Sequence, residues 1–401
     1  MTEINKSAED VVILEGARTP IGRFNGSLSG FSGVELGGKA IAGALERAGV
    51  SGDQVDSVVM GHVLTAGEGQ SGARNAALQG GVPMTVNATT VNKVCLSGMQ
   101  AINFAAMQIQ TGQATVAVAG GMESMSNSPH LLMKSRTGYG YGNGELVDSL
   151  QFDGLTCAVE SKLMGEATDV YASADSIPRE DQDAFAAQSH DRAARAIKDG
   201  VLRSETIAVE VPQRKTDPLI FEDDEGVREG TDAASLGKLR AAFVADGTIT
   251  AGNASQLSDG ASAMIVTSRA KADDLGIEPL ATVLGYGMVA GPDNCSLIHQ
   301  PSRAIAEAAS RAGIDMGDIS LYEINEAFAA VGLGAMSELG VSDELVNVNG
   351  GAIAVGHPLG MSGNRITLTL MHELRRRGGG IGAAGLCGGG GQGDAILVHV
   401  D

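Results

Sequence analysis

The sequence has no tryptophan, and aromatic residues make up only 3% of its 401 positions. A core built from it must rely on closely packed aliphatic and small side chains rather than on large rings. Cysteine is scarce as well. Cys95, Cys157, Cys295 and Cys387 are too few and too widely spaced for a disulfide framework or a paired-cysteine metal site. No metal is therefore expected, and a reducing, cytoplasmic setting is. No apolar run approaches the length of a membrane span. The opening MTEINKSAEDVVIL carries acids and no basic segment ahead of a short apolar run, unlike a secretory signal. Basic residues are in deficit: 28 Lys and Arg against 48 Asp and Glu leave a net charge of -20, which excludes a general affinity for nucleic acid. It does not exclude an anionic ligand, because a few basic groups and backbone N–H groups suffice to hold phosphates locally.

Glycine is abundant. The 57 glycines concentrate where short apolar runs hand over to amphipathic ones, the punctuation of an α/β fold. VVILEGA, VDSVVMGHVL and ATVAVAGGMES read as buried strands, and VELGGKAIAGALERAG as an amphipathic helix. The strands are expected to be parallel and interior. An internal repeat is visible when ERAGVSGDQVDSVVMG is laid on SRAGIDMGDISLYEIN, which pairs Arg47 with Arg311, 264 positions on. The same offset carries Cys95 to Leu359, two residues from His357, and Gly120 to Ala384, beside GLCGGGG. One βαβ-rich unit used twice is the expectation. The stretch between the halves breaks this rhythm with charged, proline-containing segments such as QRKTDPLIFEDDEGVREG. Residues 1–122 with 251–272 are assigned to the first half, 123–250 to an inserted loop domain, and 273–401 to the second half. Within the insert, PREDQDAFAAQSHDRAARAI suits a helix with an acidic start and a basic end.

Two glycine patterns need weighing first. GEGQSG matches a dinucleotide fingerprint, but no Asp or Glu occurs between Ala73 and Met122 to hold the ribose. The second match, within CGGGGQG, leads into the apolar run DAILVHV rather than a helix. Both read as turns.

Cys95 stands between a strand-like segment and a helical one in VNKVCLSGMQAINFAAMQI, which places it at a helix N-terminus, where dipole and free N–H groups favour thiolate. On that alone, a catalytic and a buried structural cysteine are equally good readings. His357, in VNVNGGAIAVGHPLGMSGNRI, sits in a glycine-flanked turn that nearly mirrors Cys95 in the second repeat. Cys387, in AAGLCGGGGQGD, ends a strand among glycines that leave the backbone open to a ligand. Two cysteines and a histidine at equivalent edges of two repeats are hard to explain as packing, and they suit nucleophilic and acid–base chemistry.

VCLSGMQAI, NEAFA, NGGAIAVGHPLG and CGGGGQG, with GARTP and AGNASQLSDGA, resemble the thiolase family along the whole chain. The resemblance implies a thiolase fold, two duplicated halves in a layered αβαβα core with a coenzyme A-binding loop domain. It implies an acetyl-CoA C-acetyltransferase or a longer-chain 3-ketoacyl-CoA thiolase that works on acyl-CoA, with coenzyme A as substrate and no tightly bound cofactor. Cys95 would be the acyl-accepting nucleophile, His357 its base, and Cys387 the acid/base at the α-carbon of the second acyl group. Asn325 would hold a water that joins His357 in one oxyanion hole, and the N–H groups of Cys95 and Gly389 would form the other. Ser255, Met164, Phe243 and Phe328 would line the path of coenzyme A, with Arg228 near its adenine or phosphates. Leu163 and Leu297 stand where short-chain members carry histidine and methionine, so chain length is left open. A homodimer or homotetramer is expected, with no membrane partner. A β-ketoacyl synthase would carry a second histidine in place of Cys387, and a non-catalytic scaffold would not need all four of Cys95, Asn325, His357 and Cys387.

Overall fold

A computed structural model describes residues 6–401. Residues 1–5, counted with the first half and with the non-secretory start, lie outside the described residues. The apolar runs form strands β1 (Val11–Arg18), β2 (Ser57–Gly61), β3 (Asn87–Val91), β4 (Val116–Ser124), β5 (Ser258–Ser268), β6 (Ala281–Ala290), β7 (Ile319–Ile324), β8 (Gly380–Gly388) and β9 (Gln392–Val400). The principal helices are α1 (Gly33–Ala48), α2 (Gly72–Gln79), α3 (Ser97–Gln110), α4 (Met164–Ala174), α5 (Arg179–Lys198), α6 (Gln300–Ala312), α7 (Ala329–Leu339) and α8 (Ser362–Arg377).

The strands line up as β7-β8-β9-β6-β1-β5-β4-β2-β3, with the short Gly22–Arg23 strand paired to β5. Two half-sheets of the same design meet where β1 and β6 share only Val12↔Thr282 and Ile13↔Ala281. Strand order β2-β4-β5-β1 in one half repeats as β7-β8-β9-β6 in the other. β4 and β8 are offset by 264 positions at both ends, from 116 to 380 and from 124 to 388, so the repeat seen in the sequence is structural.

The expectation of wholly parallel strands is corrected. β2 runs parallel to β3 and β4, and β7 to β8, but β5, β1, β6 and β9 pair antiparallel with their neighbours. The reason is local in one case: β8 and β9 are separated by only three residues, Gly389–Gly391, and so short a turn can only reverse the chain. Burial on both faces made the runs look parallel, since β4 and almost all of β5 are buried at every residue.

Side-chain alternation then sorts the layers. Val118 of β4 faces one core with α1 and α2, while Ala117 and Ala119 face another that holds α3 and α8. On the far side, β7, β8 and β9 pack against α6 and α7. The order is α/β/α/β/α, with α3 and α8 in the middle layer. Backbone meets backbone there: a Cβ on Gly121 would lie 2.0 Å from the Gly360 carbonyl oxygen, so only glycine lets the segment before α8 approach β4.

Between the ends of β4 and β5 the chain leaves the sheet for short hairpins, α4 and α5. Arg18 of β1 anchors this excursion. Its guanidinium bonds Glu205 at 2.6 Å and both oxygens of Asp224 at 2.7 and 2.9 Å, all fully buried. Glu205 also accepts from Thr369 of α8 at 3.0 Å, so excursion and both halves meet at one carboxylate.

Candidate active site

Val94 adopts a left-handed backbone, φ 52°, an outlier for a β-branched residue. It is held by the Asn92 side chain, which accepts its N–H at 3.0 Å, and by Ser97, whose N–H and hydroxyl both donate to its carbonyl. This turn lifts Cys95 out of the strand direction two residues before α3 begins. On the other half, the turn from Gly356 to Met361 carries His357 ahead of α8. At the β8–β9 turn, Cys387 ends its strand and Gly389 follows.

These three turns converge. Cys95, His357, Cys387 and Gly389 line one chamber of about 50 Å³, closed by Leu297, Phe328 and Leu359 among others. Its lining shares Leu155, Met164, Ser255, Phe328, His357 and Leu359 with a larger outer cavity of about 280 Å³. Ala254, Leu257 and Phe243 continue the outer wall, and the rings of Phe243 and Phe328 meet edge to face with centroids 6.4 Å apart. Gly165 lets this happen, because a Cβ there would sit 2.3 Å from the Phe243 ring. Leu163 lines the outer cavity and Leu297 the inner chamber.

The hydrogen bonds decide the histidine's tautomer. Ser362 donates its single hydroxyl proton to the Pro358 carbonyl at 2.8 Å, so it accepts from His357 Nδ1–H at 2.6 Å. Nε2 is left without the proton, buried and with no protein partner. Burial, and then the nearby Arg365, push the imidazole down to about 3. It is therefore neutral and able to accept a proton.

Cys95 departs from expectation. Its own N–H and that of Gly389 point hydrogen bonds at the sulfur and favour thiolate, but burial outweighs them, Glu123 adds repulsion, and the thiol is pushed up to about 12. The helix start therefore does not maintain a standing thiolate. Cys387 is raised further by burial and by Cys95 beside it.

The remaining sequence expectations fall differently. Ser255 is tied to the Ala327 carbonyl through its N–H at 3.0 Å and borders both cavities. Asn325 follows β7, fully buried, with neither side-chain amide atom paired to protein. Arg228 does not line either cavity. It is exposed, two residues from Gly226, whose carbonyl accepts from the lining Gln256. Ser362, Leu155 and Met125 escaped the sequence reading, and Leu359 entered it only as the position that the repeat pairs with Cys95. Five residues separate His357 from Ser362, a distance that signals contact only once the turn into α8 is known. Among the described residues, no group of three or more His, Cys, Asp or Glu is placed to hold a metal, and no helix is long and apolar enough to cross a membrane.

The model for the thiolase N-terminal domain matches residues 11–270, and that for the thiolase C-terminal domain matches residues 277–400. A Mycolicibacterium smegmatis protein named "Probable acetyl-CoA acetyltransferase" is 53% identical over 97% of this chain and 100% of its own. The acetyl-CoA acetyltransferase of Cupriavidus necator is 48% identical over 97% and 99%. The crystal structure of the Bacillus anthracis acetyl-CoA acetyltransferase superimposes with a TM-score of 0.95 at 40% identity, covering 98% of this chain and 99% of that one. With the two domain models matched over residues 11–270 and 277–400, and two thiols and an imidazole gathered at the turns of two repeated halves, the chain belongs to the thiolase family.

Proposed function

We propose that this thiolase is an acetyl-CoA C-acetyltransferase, joining two acetyl-CoA molecules or splitting acetoacetyl-CoA with coenzyme A through an acyl thioester on Cys95. The observation that carries this is the shared chamber of Cys95, His357 and Cys387, with the basic Nε2 of His357 buried and unpaired beside the thiols. Because Cys95 holds its proton, attack and deprotonation go together: Sγ bonds the thioester carbon as His357 Nε2 takes the proton. The N–H groups of Cys95 and Gly389 stabilise the oxyanion. The bond to coenzyme A breaks, and its sulfur takes the proton from His357.

With the second acetyl-CoA bound, Cys387 passes its proton to His357 and removes one from the α-carbon. The enolate oxygen is met by His357 and by a water held on the unpaired amide of Asn325. The carbanion attacks the acyl carbon, the carbon–sulfur bond to Cys95 breaks, and Cys95 recovers its proton from His357. A chamber of about 50 Å³ suits an acetyl group better than a long acyl chain. Met164, Phe243 and Phe328 offer an apolar wall to the pantetheine arm and Ser255 a polar contact, with Arg228 outside for the phosphates. The open outer edge of strand β3 and exposed Phe104 and Met107 of α3 support assembly as a homodimer or homotetramer, and four free cysteines support a cytoplasmic location.

Intact-mass analysis after mixing with acetyl-CoA tests the reading. The native chain and Cys387→Ala should gain one acetyl group on Cys95, and Cys95→Ser none, with Cys387→Ala at least about a hundredfold slower in acetoacetyl-CoA cleavage. A folded native chain that neither acetylates nor cleaves 3-ketoacyl-CoA of any length would refute it.

A further inference from the structure

Glu123 is the last residue but one of β4, fully buried, and it lines neither cavity. Its Oε2 accepts from the N–H of Gly360 at 2.8 Å and of Val63 at 3.2 Å, and its Oε1 from the N–H of Leu64 at 2.9 Å. One carboxylate thus joins the segment after β2 to the turn that carries His357, three residues before Gly360. The side chains next to these amides, Leu64 and Leu359, pack in one cluster with Cys95. The fit has no slack: a Cβ on Gly360 would lie 2.7 Å from the Met122 carbonyl, 2.9 Å from that of Gly61 and 3.1 Å from Glu123 itself.

We propose that Glu123 is a positioning residue for the reaction, fixing the His357 turn against the Cys95 side of the chamber through backbone bonds and setting the electrostatic field at the Cys95 sulfur. This rests on the roles given to Cys95 and His357 above. A purely structural clamp would not require a charge, and burying one without a cation is costly. The ionisable groups that face it are His62, Glu68 and Cys95. His62 Nε2 lies 3.6 Å away, but burial pushes that imidazole down to about 4, so it supplies no positive charge at neutral pH. Burial pushes Glu123 up to about 7, against its three N–H bonds. Its charge opposes thiolate at Cys95. Burial first, with this repulsion added to it, keeps the proton on Cys95 until His357 takes it.

Glu123→Gln tests this. The amide nitrogen cannot accept an N–H, so at least one of the three backbone N–H bonds is lost, while the negative charge goes. Expected are a fall in kcat on the order of 10- to 100-fold, KM for acetyl-CoA within about threefold, and a shift of the pH profile for iodoacetamide alkylation of Cys95 to lower pH. Unchanged kcat overturns the proposal. So does a fall in kcat with an unmoved alkylation profile, which would mean a structural role alone. If the variant does not fold, hydrogen exchange on the native chain decides: corrected protection of peptides holding Val63, Leu64 and Gly360 should weaken as pH falls through about 7, and constant protection overturns it. Failure of the underlying reading is separate, because then the native chain itself would not acetylate Cys95.

Discussion

Ser362 lines neither cavity, yet it fixes where His357 carries its proton. Because its one proton is committed to Pro358, it fixes the imidazole with Nε2 bare. Ser362→Ala leaves Nδ1–H without a partner and the ring free to turn or change tautomer. It should lower kcat on the order of 10- to 100-fold while leaving KM for acetyl-CoA close to native, a split that steady-state kinetics reads directly. A second prediction follows from the raised thiol. An ordinary cysteine finishes ionising somewhat above its pKa of about 8.5. Cys95, pushed up to about 12, should be alkylated ever faster from about pH 7 to about pH 10 with no plateau, as measured by peptide-resolved iodoacetamide labelling. A plateau below about pH 8 would mean a standing thiolate. Cys95, His357 and Cys387 stood out in the sequence because Cys95 precedes a helical run, His357 and Cys387 lie among glycines, and all three fall at repeated edges. Ser362 and Glu123 were not, because a serine five residues on and a glutamate at a strand end look like any other until the chain has folded.

Among the elements, the excursion between β4 and β5 shapes the entrance. α4 begins at Met164, and Gly165 in its first turn lies against Phe243. Gly165→Ala must push that ring aside. Phe243 is 39% exposed and can swing outward, so the stability cost should fall at or below the low end of overpacking, about 1 kcal/mol. The larger effect should be a several-fold rise in KM for acetyl-CoA, since the displaced ring leaves the wall of the outer cavity; unchanged KM in a kinetic assay would remove Phe243 from the binding path. Helices and strands were readable from periodicity, whereas strand direction was not. Periodicity records which side chains are buried, and a strand buried on both faces shows the same run of apolar residues in either orientation.

For the whole molecule, the buried Arg18 cluster is the junction that orients excursion, first half and second half. Burial opposes the guanidinium's charge, but Asp224 and Glu205 outweigh it and raise its pKa. Arg18→Ala would strand two buried carboxylates and should cost about 3–5 kcal/mol in urea unfolding. Arg18→Met, which matches volume but leaves the same carboxylates unpaired, should rescue little. If Arg18→Ala unfolds like the native chain, the excursion is held by other contacts. The duplicated halves were legible from one 264-residue offset, and the thiolase family from motifs spread along the chain. What the residues settled by themselves was the kind of chemistry available: two thiols, an imidazole and close-packed glycine turns, all local features. Which groups carry protons was decided only by the tertiary structure. Ionisation depends on water excluded and charges brought near, and at Cys95 burial and a glutamate on another strand outweighed the helix start beside it.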